Sequence, residues 1–325
     1  MTNNKICILG ASGFVGAGVF EYLNKKGYET LGLGTNPDPW RLINLKLNYK
    51  SLNNESLVQE LDKFKPGVLI NFVANGGYSF QQNSQKIINS NLLFVENIAN
   101  WANLNNAFLI HAGTSSEYGK NSAAPKEDAN PEPNSLYAIT KLAATYLIKH
   151  LSDSGLRSIV LRLYSVYGPK EDSSRLMPAV MRGIINQDWP QFTDFRIGRD
   201  FIYLEDVNKL IEKILISQRD VQKSHFEIFN VGSGKLTTMG DLVKILENEF
   251  QMPKVLDTKF APRKWDIFEW YANIEKVKQH LAWTPEIDLI SGLKMMKNWY
   301  SQSDNVKYLG IEYSAQKMYN DKTKN

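Results

Sequence analysis

Short apolar runs alternate with helical segments through the first half of the chain, and this alternation constrains the fold more than any other sequence feature. Apolar runs bounded by segments with a 3.6-residue period are typical of buried strands joined by amphipathic helices. The pattern predicts strands at 5–9, 29–33, 68–74, 107–112 and 157–164, and helices at 15–26, 55–64, 87–104 and 135–151. Such repetition predicts an α/β fold with a doubly wound parallel sheet, of the Rossmann type.

The alternation loosens beyond Gly168-Pro169, where further prolines break the chain into shorter segments. We therefore expect a dinucleotide-binding domain over residues 1–168, with a return segment at about 199–232. Residues 169–198 and 233–325 are expected to form a smaller, mostly helical substrate-binding lobe at the carboxyl ends of the strands.

The composition excludes several classes of protein. The net charge is +4 in 325 residues, and the basic residues do not cluster, so a nucleic-acid partner is not expected. No stretch approaches the roughly 18 apolar residues that span a bilayer, and the polar start lacks a signal-peptide core. The single cysteine, Cys7, lies in an apolar run and predicts core packing. We expect a cytoplasmic protein without a membrane partner or a metal site.

A glycine-rich turn, Gly10-Ala11-Ser12-Gly13-Phe14-Val15-Gly16, lies between the first predicted strand and helix. Glycines there let the backbone turn sharply and approach a pyrophosphate, which the amides at the positive end of the helix bind. The predicted cofactor-binding residues of this turn are Gly10, Ser12, Gly13, Phe14, Val15 and Gly16.

A tyrosine and a lysine four residues apart, Tyr137 and Lys141, fall on one face of a predicted helix. The ammonium favours the phenolate, and Asn134 or Ser135 as N-cap would put Tyr137 in the first turn, where the helix dipole acts likewise. Bringing a tyrosine pKa from ~10 to about 7 requires roughly 4 kcal/mol of differential stabilisation. The pair alone is compatible with a surface lysine beside an aromatic residue.

A cluster of hydroxyl groups, Thr114-Ser115-Ser116, directly follows the strand predicted to end at Ala112. This strand, the cluster, a Pro-containing loop and Tyr-x-x-x-Lys come in the order and spacing of the extended short-chain dehydrogenases/reductases. From Ile6 to about Trp299 the chain resembles the NAD-dependent epimerase/dehydratase family, which acts on nucleotide sugars. The resemblance implies that Thr114 hydrogen-bonds the reacting oxygen, Tyr137 is the general acid/base, and Lys141 tunes Tyr137 and binds the nicotinamide ribose.

Further residues resemble the substrate site of this family. Arg199 and Arg263 match arginines that contact the diphosphate, and Asp266 matches an aspartate that contacts the nucleotide ribose. Ser165 stands where the family often has asparagine. The expected substrate-binding residues are Ser115, Ser116, Ser165, Arg199, Arg263 and Asp266. The resemblance also implies a homodimer that pairs the helix of Tyr137 and its neighbour.

The position after the second predicted strand determines cofactor choice in such folds, because an acid there holds the adenosine ribose and repels a 2′-phosphate. Here it is Gly34, followed by Thr35 and Asn36, with Arg41 close behind. We therefore predict that NADP(H) binds at least as well as NAD(H), although a backbone amide could serve NAD instead. The remaining predicted cofactor-binding residues are Thr35, Asn36, Arg41 and Ala74.

Several reactions remain open within this resemblance. Dehydration is disfavoured, because the family's Asp-Glu pair is replaced by Ser115-Ser116, and on an extended strand Glu117 would point away from Thr114. An epimerase-reductase of the GDP-fucose synthase kind is disfavoured by Ser116 and Lys170, which replace its cysteine and histidine. Reduction of a 4-keto nucleotide sugar is the favoured reaction and 4-epimerisation the alternative. A non-catalytic dinucleotide sensor is the alternative from a different class.

Overall fold

The computed structural model describes residues 5–52, 56–192, 194–217, 225–254, 267–302 and 305–310. The strands are β1 (Lys5–Leu9), β2 (Glu29–Gly34), β3 (Tyr49–Ser51), β4 (Val68–Asn71), β5 (Phe108–Thr114), β6 (Ser158–Leu163), β7 (Ser165–Tyr167), β8 (Gly198–Arg199), β9 (Phe201–Tyr203), β10 (Phe226–Val231) and β11 (Thr237–Thr238). The α-helices are α1 (Phe14–Lys25), α2 (Leu57–Phe64), α3 (Ser84–Ile88), α4 (Phe94–Leu104), α5 (Leu136–Asp153), α6 (Leu176–Asn186), α7 (Leu204–Ile216), α8 (Met239–Phe250), α9 (Glu275–Leu281) and α10 (Leu289–Tyr300). A π-helical turn, Asn89–Leu93, joins α3 to α4, and 3₁₀ turns lie at Trp40–Leu42, Ser115–Tyr118 and Val306–Leu309.

Seven parallel strands form one sheet in the order β10-β6-β5-β4-β1-β2-β3. β1 pairs with both β2 and β4, so the direction of winding reverses beside it. Ligands of open α/β sheets bind beyond the carboxyl ends of the strands at such a reversal. The predicted doubly wound fold is therefore confirmed.

Some boundaries differ from the prediction. β3 was not predicted, because its three residues are partly exposed and form no apolar run. The strand predicted at 68–74 ends at Asn71, where the side-chain Oδ1 accepts the Val73 amide at 3.0 Å and the chain leaves the ladder. The strand predicted to end at Ala112 continues to Thr114.

A second apolar core lies in the helical lobe, where α6, α8 and α10 contribute buried side chains such as Met181, Leu246 and Met296. β8 and β11 form an antiparallel pair in the same part of the chain. Val277 and Trp283 pack in the core of the large sheet, because α9 lies against β10. The predicted bounds of the two domains stay predictions.

No helix in the described part of the chain is both long and apolar enough to cross a bilayer.

Candidate active site

A cavity of about 570 Å³ lies at the carboxyl ends of the strands, between the sheet and the helical lobe. Most of the residues predicted for the site line it: Gly13, Phe14, Val15, Gly16, Arg41, Ala74, Thr114, Ser115, Ser116, Tyr137, Lys141, Ser165 and Arg199. Gly10, Ser12, Thr35 and Asn36 are not among the described residues that line it. Arg263 and Asp266 lie outside the described residues.

The glycine turn is shaped for close approach of a ligand to the backbone. Gly10 has a φ of +77°, and a Cβ there would lie 2.9 Å from the Phe72 carbonyl carbon. A Cβ on Gly16 would lie 2.3 Å from the Gly10 oxygen. Gly13 is the N-cap of α1, and no described side chain caps this helix end, so its amides face the cavity lined by Phe14 and Val15. This cradle fits the pyrophosphate of a dinucleotide.

Thr114 is held at the end of β5 by the turn that follows it. Its Oγ1 accepts the Ser116 amide at 3.2 Å, and its own amide donates to Glu117 Oε1 at 2.9 Å, which completes a capping box. The expected extended strand through Glu117 is wrong, because Ser115–Tyr118 is a 3₁₀ turn. Glu117 is fully buried beneath that turn and is not among the described residues that line the cavity.

Tyr137 lies in the first turn of α5, which Ser135 caps by accepting the Ala138 amide at 3.2 Å. Burial raises the pKa of the Tyr137 hydroxyl. A hydrogen bond with Thr114 and the positive charge of Arg175 both act to lower that pKa. The Thr114 and Tyr137 side chains therefore interact with each other, as expected for two groups that act on the same substrate oxygen.

Lys141 lies one turn further along α5 and is only 1% exposed. Its Nζ donates to the Ala112 carbonyl at 2.5 Å and lies 3.1 Å from His111 Nε2. Burial lowers the pKa of the Lys141 ammonium to about 8, and the charge of Glu117 opposes this shift.

The lining residues that the sequence did not predict include Arg175, Glu171 and Tyr78. Arg175 donates to the Gly77 carbonyl at 3.1 Å, and its guanidinium stacks 4.2 Å from the Tyr78 ring. Glu171 is buried, its pKa is raised to about 8 by burial, and its Oε2 lacks a hydrogen-bond partner among the described residues. In the sequence, the only indication that Tyr78 belongs to the site was its position after β4. Arg175 and Glu171 look like surface charges in the sequence.

The loop after β4 is fixed by Asn91, which the π-helical turn carries into the interior. Asn91 accepts the Asn75 amide and donates to the Asn75 carbonyl, both at 2.8 Å. It also donates to Thr140 Oγ1 at 3.0 Å, next to Lys141 on α5. One buried side chain therefore joins the loop to α5, the helix that carries Tyr137 and Lys141.

Arg199, the last residue of β8, also lines the cavity. Its Nη1 donates to the carbonyls of Gly198 and Ile267, and its guanidinium lies 5.3 Å from the Trp270 ring. The buried Asp200 accepts the amides of Ser233 at 2.6 Å, Gly234 at 2.9 Å and Ala272 at 3.0 Å. Through these hydrogen bonds, the Asp200 carboxylate joins the segment that carries Arg199 to the segment that carries Trp270.

Comparison with known families agrees with this geometry. Residues 6–232 match the model of the NAD dependent epimerase/dehydratase family. The chain belongs to this family. Members of the epimerase/dehydratase family are NAD-dependent enzymes, and the resemblance predicted from the motifs is confirmed.

Other members of the epimerase/dehydratase family match along most of the chain. UDP-glucuronate 4-epimerase 4 of Arabidopsis thaliana is 26% identical over 92% of this chain and 76% of its own length. The structure of UDP-glucose 4-epimerase from Thermotoga maritima with UDP-glucose has a TM-score of 0.80 at 22% identity, covering 92% of this chain and 99% of that one. UDP-glucuronic acid 4-epimerase from Bacillus cereus, in complex with UDP-glucuronic acid and NAD, has a TM-score of 0.78 at 22% identity with the same coverage.

After β2, where NAD-selective folds carry an acid, the Tyr49 side chain lies beside Gly34. A Cβ on Gly34 would lie 2.7 Å from the Tyr49 hydroxyl, which donates to the Asn36 carbonyl at 2.6 Å. Arg41 is 4% exposed, and it donates to the carbonyls of Lys170 and Ser12 at 2.9 and 3.4 Å. The prediction that NADP(H) binds at least as well as NAD(H) stays a prediction.

Proposed function

We propose that the protein is a nucleotide-sugar 4-epimerase, the alternative that the sequence analysis placed second to 4-keto reduction. The observation that carries the proposal is that one cavity gathers Thr114, Tyr137 and Lys141 between the dinucleotide cradle of α1 and Arg199. The relatives and structural neighbours named above are 4-epimerases, which supports this reaction over reduction.

The three side chains divide the work at C4 of the sugar. NAD held at the turn of Gly13 and Gly16 would supply the hydride acceptor for C4 and the hydride donor for the opposite face of the ring. Tyr137 as phenolate accepts the proton of the 4-hydroxyl and gives it back to the same oxygen, so the cycle consumes no net proton. Thr114 hydrogen-bonds that oxygen, and Lys141 binds the nicotinamide ribose and stabilises the phenolate.

Arg199 and Arg175 lie at the parts of the cavity that suit two anionic groups of the substrate. Arg199, backed by Trp270, is suited to the diphosphate, because a guanidinium binds phosphate oxygens bidentately. Arg175 acts electrostatically on Tyr137, so its charge lies near the sugar position. A second guanidinium there suits a carboxylate on the sugar, and UDP-glucuronate is therefore the first candidate substrate.

The test incubates the purified protein with NAD and, separately, UDP-glucuronate or UDP-glucose, and separates the products by anion-exchange chromatography. We expect interconversion of C4 epimers, faster for UDP-glucuronate, without net accumulation of reduced cofactor. Arg175→Gln should raise KM for UDP-glucuronate at least tenfold and affect UDP-glucose less. Stoichiometric oxidation of NADPH with a 4-keto-6-deoxy sugar nucleotide, and no epimerisation, would show that the reaction is reduction.

A further inference from the structure

Two buried polar side chains lie in line behind Lys141, and the reaction proposed above does not use them. Asn71, the last residue of β4, is the register partner of His111 within β5, and both are 0% exposed. Asn71 Nδ2 lies 3.0 Å from His111 Nδ1, and His111 Nε2 lies 3.1 Å from Lys141 Nζ. The three side chains form one hydrogen-bonded chain from the sheet to the cavity.

The direction of this chain is set at its far end. The Val73 amide donates to Asn71 Oδ1 at 3.0 Å, so the amide oxygen of Asn71 is turned to the backbone and its nitrogen faces His111. An amide nitrogen can only donate, and His111 Nδ1 must therefore accept. Reversing the Asn71 amide would leave the Val73 N–H facing another donor, which is unfavourable because neither group would have an acceptor.

A neutral imidazole that accepts at Nδ1 carries its proton at Nε2. His111 is neutral, because burial holds its pKa well below the usual range. Its Nε2–H consequently points at Lys141 Nζ. An ammonium has three donors and no acceptor, whereas an uncharged amine offers a lone pair to this N–H.

We propose that His111 is a positioning residue that presents an N–H to Lys141 and thereby favours the uncharged amine in the free enzyme. The ammonium that supports a Tyr137 phenolate then forms at the expense of this hydrogen bond, and acceptors on a nicotinamide ribose compensate for it. Only the role of Lys141 in catalysis rests on the proposed function. The direction of the hydrogen bonds does not.

The charged groups around Lys141 are consistent with this assignment. Glu117 favours the ammonium, but it is paired with Arg162 at 2.9 Å in the interior. Tyr137 lies one turn before Lys141 on the same helix, and the charge of Arg175 acts on that hydroxyl.

The deciding measurement is the tautomer of His111, read from the nitrogen resonances of ¹⁵N-histidine-labelled protein between pH 7 and 10. The chain has four histidines, so their signals must be assigned. The His111 signals are those that are missing from the spectrum of His111→Phe, or those that correlate directly with Asn71. We expect a bare Nδ1 and a protonated Nε2. A protonated Nδ1, or an imidazolium with both nitrogens protonated, would overturn the proposal without any enzymatic assay.

Asn71→Asp tests the direction of the hydrogen bonds from Asn71 through His111 to Lys141, because it should reverse that direction. The carboxylate can accept both the Val73 amide and an N–H from His111 Nδ1, which leaves Nε2 as an acceptor for the Lys141 ammonium. The proton should move to Nδ1, and the pH at which Lys141 titrates should rise by at least one unit. Persistence of the Nε2–H tautomer would contradict us.

Ser158→Ala is the matched control, because it removes a buried hydrogen bond to Ser152 of α5 without touching Lys141. It should keep the native tautomer and titration. If epimerase activity is absent while the Nε2–H tautomer is found, the proposed function fails and the assignment of His111 stands.

Discussion

Tyr137 and Lys141 are each surrounded so that the ionised form is disfavoured. Burial raises the pKa of the Tyr137 hydroxyl and lowers that of the Lys141 ammonium. A neutral phenol beside a neutral amine carries the same number of protons as a phenolate beside an ammonium. Above about pH 8, where Lys141 is uncharged, the active pair is therefore reached by redistribution of one proton, whereas below that pH Lys141 is already an ammonium and Tyr137 must release its proton.

Tyr137→Phe should lower kcat by at least 10²-fold, since general acid/base groups contribute about that much or more. NAD affinity, measured by fluorescence titration, should change little, because only a hydroxyl is lost. Tyr146→Phe is the matched control on the same helix, where the side chain is exposed. A Tyr137→Phe enzyme that keeps more than about a tenth of native kcat would show that another group transfers the proton.

Lys141 should make stability depend on pH in alkaline solution. Below pH 8 this lysine is charged in both the folded and the unfolded states, so the full cost of burying the charge opposes folding. That cost disappears as pH rises from about 8, the folded pKa, to the ordinary 10.5. Relative to Lys141→Met, the native free energy of unfolding should rise by about 3 kcal/mol across this window. Urea unfolding at pH 7 to 10.5 measures it.

Lys149→Met, at an exposed position of α5, is the control, and its free energy of unfolding should depend on pH in the same way as that of the native protein. Parallel pH curves for the native protein and Lys141→Met would show that Lys141 does not titrate in this range.

At the scale of elements, a buried ion pair ties together the three segments that present Thr114. Glu117 lies in the turn after β5, and it accepts from Arg162 Nε of β6 at 2.9 Å and Thr145 Oγ1 of α5 at 3.0 Å. Arg162 also donates to the Glu127 carbonyl at 3.0 Å and stacks over Tyr118. The network fixes the position of the turn with no part of it entering the cavity.

Glu117→Gln should lower the free energy of unfolding by about 3–5 kcal/mol, because it leaves the buried Arg162 charge without its counter-ion. Glu29→Gln is the control, since it breaks the exposed pair with Lys5 and should cost about 1 kcal/mol or less. Urea unfolding at pH 7 compares the two variants. Equal losses of unfolding free energy in the two variants would mean that burial does not strengthen the pair of Glu117 and Arg162.

At the scale of the whole molecule, α5 and the turn before α4 expose apolar side chains on neighbouring surfaces. Leu93 is 44% exposed, Ile139 49% and Tyr146 51%. Clustered apolar exposure of this kind marks an interface. It supports the homodimer that the resemblance predicts through these two helices.

We therefore expect the native protein to sediment as a dimer and Tyr146→Glu to sediment with the mass of one chain, since a charge in the apolar interface opposes association. Ile216→Glu, at an exposed position of α7, should remain dimeric. A monomeric native protein at micromolar concentration would contradict the prediction.

Periodicity was sufficient to predict most of the sheet and the glycine turn, and the order of the motifs, through the family resemblance, predicted the gathering of Thr114, Tyr137 and Lys141. These features depend on local pattern and on the rule that strand ends share one edge. The inward turn of Glu117 and the chain through His111 were not predictable, because each depends on side chains that only the register of β4, β5 and β6 brings together. The sequence holds one indication of the contact between Asn71 and His111, since both are polar residues that follow apolar runs at equivalent positions.

The π-helical turn at Asn89–Leu93 makes the site sensitive to the length of the chain as well as to its composition. A π turn holds one residue more than an α-helical turn, and each residue of an α-helix advances the side chains by about 100°. Removing a single residue from this turn would allow a regular helix but rotate Asn91 away from Asn75 and Thr140. Deleting one residue here should therefore disturb the loop after β4 even when Asn91 itself is kept.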